Sequence, residues 1–109
     1  MKRQPIRRIS ENRQAEGLYY KVVSEQVKQR DKWMCVMCGK RMWEIAHLVP
    51  RWRFGRRDFE RKHALKNLAC VCRDCHKQTH SFEGRQGLLN TLRERHGYDY
   101  REPPWCEYA

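Results

Sequence analysis

"NLACVCRDCH", Asn67 to His76, carries three signals in ten residues. Asn67 to Cys72 is a short apolar run that reads as a strand. Cys72 and Cys75 have the C-x-x-C spacing that lets both thiols of one turn face a single metal. The polar residues from Arg73 onward open a short helix. A second pair, Cys35-x-x-Cys38, stands upstream in "DKWMCVMCGK", with Gly39 where a tight turn around a metal is needed. Four thiolates in a tetrahedral array suit Zn²⁺ and leave no coordination position open for chemistry, so the zinc is structural.

The 33 residues between the pairs are more than a simple zinc ribbon needs, and they leave room for a hairpin with a long loop. "RMWEIAHLV" (41–49) is rich in β-formers and stops at Pro50, which predicts the first strand of that hairpin. The following "RWRFGRRDFERKHALK" (51–66) has no clean period and reads as a loop with a helical turn near its end. Upstream, Leu18, Tyr19, Val22, Val23 and Val27 fall at three- and four-residue spacing and predict a helix over about 16–30. Downstream, the helix opened at Arg73 is expected to be interrupted near Gly84. Leu88, Leu89 and Leu92 then mark a final amphipathic helix ending near Gly97. The two cysteines outside the pairs read as a small core residue (Cys70) and a free thiol in the tail (Cys106).

The chain has 109 residues, of which 24 are Lys or Arg and 13 are Asp or Glu, a formal charge of +11. So large a basic excess on one small domain favours a polyanion partner, most simply nucleic acid. Only 39% of the residues are hydrophobic, so a chain of this length needs a staple, which the cysteine pairs provide. No apolar run approaches the ~18 residues of a spanning helix, and no segment joins basic residues to a strong apolar stripe, which argues against a membrane partner. "MKRQPIRRISENR" has no apolar region behind its charges and does not read as a secretory signal. The expectation is a cytoplasmic protein, in a host, phage or mobile-element setting. Three segments are expected: a flexible basic lead (1–10), a central domain (11–97), and a tail (98–109) lying over the surface or disordered.

His47 at the end of the first strand, Asn67 at the start of the second and His76 directly after Cys75 complete a pattern, "AHLVPR" followed by "NLACVCRDCH" inside the two cysteine pairs. It resembles the HNH endonuclease family and its ββα-metal (His-Me finger) fold, over about 31–80. The resemblance implies an α+β fold with a structural zinc held by four cysteines, here flanked by N- and C-terminal helices. It also implies a metal-dependent endonuclease that hydrolyses DNA phosphodiester bonds. Residue by residue, His47 matches the general base, Asn67 the asparagine that braces the loop beside it, and His76 a ligand of the catalytic divalent ion (Mg²⁺, Mn²⁺, Ni²⁺ or Zn²⁺). His80, four residues on and on the same helical face, matches a second ligand found in the nuclease colicins.

The residue before the base histidine is often a ligand, and here it is Ala46. Either the ion rests on His76 and His80, or Glu44 reaches it. The first is favoured, because a carboxylate two positions back is expected to enter from a different height. A degenerate site, in a zinc-stabilised module that only binds DNA, is the alternative. A zinc-dependent protein-interaction domain is a third reading.

The loop 51–66 holds Arg51, Arg53, Arg56, Arg57, Arg61, Lys62 and Lys66 against Asp58 and Glu60, with Trp52, Phe54 and Phe59 interleaved. Arg51 and Arg53 are the first choices for phosphate contacts, with Arg56, Arg57 and Lys62 beside them. Lys2, Arg3, Arg7 and Arg8 would follow the backbone further out. His63 reads as a DNA contact or a solvated residue, and His96 as a helix C-terminal residue. The expected partner is double-stranded DNA, bound by a monomer or weak dimer with low or partner-guided sequence specificity; nicking and double-strand cleavage both fit.

Overall fold

The computed structural model describes residues 11–109; the basic lead with Lys2, Arg3, Arg7 and Arg8 lies outside the described residues. A long helix α1 (Glu11–Arg30) leads into the first cysteine turn, followed by strand β1 (Glu44–His47). The loop after it contains a short helix α2 (Phe59–Lys62) and leads to strand β2 (Leu68–Val71). Helix α3 (Arg73–Gln78) and helix α4 (Phe82–His96) follow. The two strands pair antiparallel, with Ile45 opposite Cys70 and His47 opposite Leu68. β1, β2 and α3 are the expected ββα unit, in a small α+β fold with a four-cysteine cluster. Among the described residues no helix is long and apolar enough to cross a membrane.

The sheet separates two apolar layers because successive side chains of a strand point to opposite faces. Ile45, Leu68 and Cys70 meet Val23 and Val27 of α1. Ala46, Ala69 and Val71 meet Leu88, Leu89 and Leu92 of α4. The contact stripe on α1 differs from the expected one: Leu18 and Val22 are exposed, while Glu16, Tyr20, Val23 and Val27 form the inward i, i+4, i+7 row. A charged residue belongs to that row because Lys62 and His63 meet it.

The outer edge of β2 is closed by side chains at the end of α1. The Asp31 carboxylate accepts from the Cys70 N–H (2.9 Å), and the Arg30 guanidinium donates to the carbonyls of Leu68 and Leu65 (2.7 Å each). Arg30 and Asp31 also pair with each other, which spares both the cost of an isolated buried charge.

The strands are shorter than their β-rich sequences, and the long loop is more structured, with 3₁₀ turns at Arg51–Arg53 and Leu65–Asn67 besides α2. The break between the last two helices falls at residues 79–81 rather than at Gly84. Hydroxyls decide this: Thr79 Oγ1 donates to His76 O, and Ser81 caps α4 by accepting from the Gly84 N–H. Gly84 lies inside the first turns of α4, where a Cβ would sit 1.7 Å from Gln78 O. α4 ends at Gly97 in the left-handed conformation, as expected.

The tail is ordered and lies against the α4 side of the molecule with its rings turned inward. Trp105 is fully buried, Tyr100 and Tyr108 nearly so, and all three join the α4 layer. A domain short of apolar residues recruits these rings, and polar contacts hold them: Tyr100 OH donates to Lys66 O, and Lys66 Nζ lies 4.2 Å from the Trp105 ring centre.

Candidate active site

The four thiols Cys35, Cys38, Cys72 and Cys75 lie within 4.8 Å of one another. Zn–S bonds of ~2.3 Å in a tetrahedron require S···S separations of ~3.8 Å, so the cluster needs little movement to close on one ion. The Cys35 turn is shaped by Gly39 N–H donating to Cys35 O (2.9 Å), with Gly39 at φ 79°. On the other side Cys72 is the N-cap of α3, and its sulfur accepts from the Cys75 N–H. That backbone donor brings the Cys72 thiol down to about 7, toward the thiolate a metal requires. Cys70 is not part of the cluster: it is buried on the α1 side, and burial pushes its thiol up to about 12.

α3 starts at this cluster and carries His76 one residue beyond Cys75. The helix ends at Gln78, yet the turn after it keeps His80 beside His76, with ring centres 5.5 Å apart and nearly parallel planes. Glu44, at the start of β1, places Oε2 3.5 Å from His76 Nδ1. The expectation that this carboxylate would enter at a different height does not hold, because β1 passes directly against α3. Ala46 is 1% exposed and belongs to the α4-side core.

His47 emerges at the end of β1, on the strand's α1 face. One cavity of ≈ 540 Å³ brings it together with Glu44, His76, His80, Arg51 and Arg85. Two imidazoles and a carboxylate line its wall, with donor types that divalent ions take, but among the described residues the only group of three or more such donors whose ligand atoms lie within 4.8 Å of one another is the four cysteines. Arg85, in the first turns of α4, was missed by sequence reasoning. Its buried Nε has no hydrogen-bond partner among the described residues, and only the fold shows that it faces this cavity. Burial first, then the charge of Arg51, drives the His47 imidazole down to about 3, so it is neutral near pH 7.

Asn67 is fully buried and uses its whole amide. Oδ1 accepts from Val49 N–H and Trp105 Nε1–H (2.9 Å each), while Nδ2 donates to Val49 O (3.2 Å) and Lys62 O (2.7 Å). It thereby ties both ends of the loop that follows His47 to the base of β2 and to the tail.

The basic loop residues divide into four groups. Arg51 lines the cavity and lies over the Tyr20 ring, with its centre 5.4 Å away. Arg56 and Arg57 line a second concavity, beside Asn12, Arg13 and Glu16. Arg53 pairs with Glu107 of the tail (2.7 Å), and Lys62 is buried with its ammonium on Glu16 (3.0 Å). Arg61 and Lys66 lie against Trp105. His63 is neither solvated nor on the surface: it is 1% exposed, between His47 and Glu16.

Residues 35–82 match the family model described as HNH endonuclease. Among curated proteins and among solved structures no match is found. The matched stretch includes both cysteine pairs, Glu44, His47, Asn67, His76 and His80, so this part of the chain is similar to the HNH endonuclease family.

Proposed function

We propose that the protein is an endonuclease that hydrolyses DNA phosphodiester bonds with a divalent ion, on a fold stapled by zinc at Cys35, Cys38, Cys72 and Cys75. One observation carries the reading: a single cavity gathers a neutral histidine from β1, the donors His76, His80 and Glu44, and the cations Arg51 and Arg85. His47 takes a proton from water, whose oxygen forms the new bond to phosphorus. The bond from phosphorus to the 3′ oxygen breaks, and that oxygen is protonated by solvent. Arg51 and Arg85 donate to the non-bridging phosphate oxygens as charge builds there. An ion held by His76, His80 and Glu44 would neutralise the phosphate and the leaving oxygen. Asn67 positions the loop that follows the base.

Arg56 and Arg57 extend the basic surface along double-stranded DNA. Phosphate contacts carry no base information, so cleavage has low sequence specificity or depends on a guiding partner. A monomer with one such cavity nicks, and it cuts both strands by a second visit or as a weak dimer. A second reading, a DNA-binding module without catalysis, is favoured by Ala46, which offers no ligand and faces the core.

Supercoiled plasmid with Mg²⁺, Mn²⁺, Ni²⁺ or Zn²⁺ separates the two readings. The wild type is expected to nick it, and His47→Ala to be slower by about 10²–10⁴-fold, the range for loss of a general base. A wild type that binds DNA in a salt-sensitive way yet leaves the plasmid intact with every ion overturns the catalytic reading.

A further inference from the structure

His63 takes no part in the chemistry above, yet its position is the most constrained of any imidazole among the described residues. It is 1% exposed and bonded at both ring nitrogens: Nδ1 lies 3.0 Å from His47 Nε2, and Nε2 lies 2.8 Å from Glu16 Oε2. The three residues come from β1, the end of α2 and α1, so the chain of bonds exists only in the folded molecule. Tyr20, one turn beyond Glu16 on α1, completes the enclosure. Its ring stacks on His47 (6.0 Å, 15°) and tilts against His63 (4.7 Å, 56°). The charged groups facing the two imidazoles are Glu16, Lys62 and Arg51.

The proton positions follow from what each group can donate. Burial alone would raise the Glu16 carboxyl, but the bonds from His63 and Lys62 hold it below its usual range, so it is ionised and can only accept. His63 Nε2 must therefore carry the hydrogen of that bond. A neutral imidazole has one N–H, so His63 Nδ1 is an acceptor. The hydrogen shared with His47 then belongs to His47 Nε2, which leaves the lone pair on His47 Nδ1.

We propose that Glu16 and His63 are positioning residues that lock neutral His47 as its Nε2–H tautomer and so present Nδ1 as the proton acceptor. The proposal deepens the reading of His47 as the base and rests on it for its catalytic consequence. When Nδ1 takes the proton of water, the positive charge on His47 faces the His63 acceptor, with the Glu16 carboxylate one residue further along. No proton needs to leave His47 Nε2.

The test is ¹⁵N NMR of the imidazole nitrogens in the zinc-loaded full chain, with His47→Ala to assign the signals, alongside plasmid nicking by the same samples. The wild type is expected to show a protonated Nε2 and an unprotonated Nδ1 at His47. His63→Phe removes both bonds: His47 should become a tautomer mixture, with kcat down by about 10- to 100-fold and KM little changed. His63→Asn keeps an acceptor for His47 Nε2–H and should restore the single tautomer and most of kcat. A wild-type His47 protonated at Nδ1 overturns the proposal, and this reading does not depend on whether His63→Phe folds. An unchanged tautomer in a folded His63→Phe overturns it as well. A locked tautomer in a wild type that cleaves no plasmid upholds the positioning role and removes the nuclease reading instead.

Discussion

Asn67 shows how much structural work one side chain does here. All four hydrogen-bonding positions of its amide are used, and the partners come from three separate parts of the chain: Val49, Lys62 and Trp105. Asn67→Ala would leave two buried donors and two carbonyls without partners. Each costs about 1–3 kcal/mol when water cannot reach it, so a loss of about 3–5 kcal/mol is expected after partial relaxation. Chemical denaturation of the zinc-loaded protein measures this; a loss under about 1 kcal/mol would mean that water replaces the amide. In the sequence the residue stands out only through the family pattern, as a loop brace near His47. Its bond to Trp105 is not legible there, because nothing local links residues 38 apart. His63 is misleading for the same reason: in a loop of arginines a histidine looks solvated, and only α1 supplies the Glu16 that buries it.

At the scale of elements, the cavity depends on how α3 hands over to α4. The chain turns within residues 79–81, so that His80 stays beside His76 while Arg85 swings into the same cavity. The turn is tight enough that α4 approaches the end of α3 backbone to backbone at Gly84. Gly84→Ala would put a methyl group into Gln78 O, a backbone atom that cannot rotate away. The expected cost is about 2–3 kcal/mol despite the better helix propensity of alanine. Thermal unfolding checks the sign: a raised Tm would show that the helices can slide apart freely. The glycine is visible in the sequence as a helix breaker. Its actual reason, close approach of two segments, is a property of the packed pair.

The described residues form a small apolar core held by long-range ties, among them one of thiols and one of aromatic rings. The thiol tie joins two turns with 33 residues between them, and metal binding at such sites contributes about 10–16 kcal/mol, comparable with the entire stability of a small domain. Chelation is therefore expected to abolish the cooperative fold, and Zn²⁺ to restore it. Loss and recovery of the far-ultraviolet circular dichroism signal would follow both steps, and full helical signal in metal-free protein would contradict this. Cys70→Ser should keep its zinc stoichiometry, since that thiol faces α1 rather than the cluster.

Spacing and local pattern are enough to encode the two C-x-x-C turns, the ββα order, a C-terminal helix ending at Gly97, and a basic loop between the strands. These depend on neighbours within a turn or two, so a linear reading suffices. Packing decided the contacts around the site that spacing does not carry. Folding placed Glu44 beside His76, buried His63 between His47 and Glu16, turned Arg85 into the cavity, and drew Trp105 of the tail under Asn67. Each of those contacts joins residues far apart in the chain, and a buried polar group takes whichever partner the packed elements bring within hydrogen-bond distance.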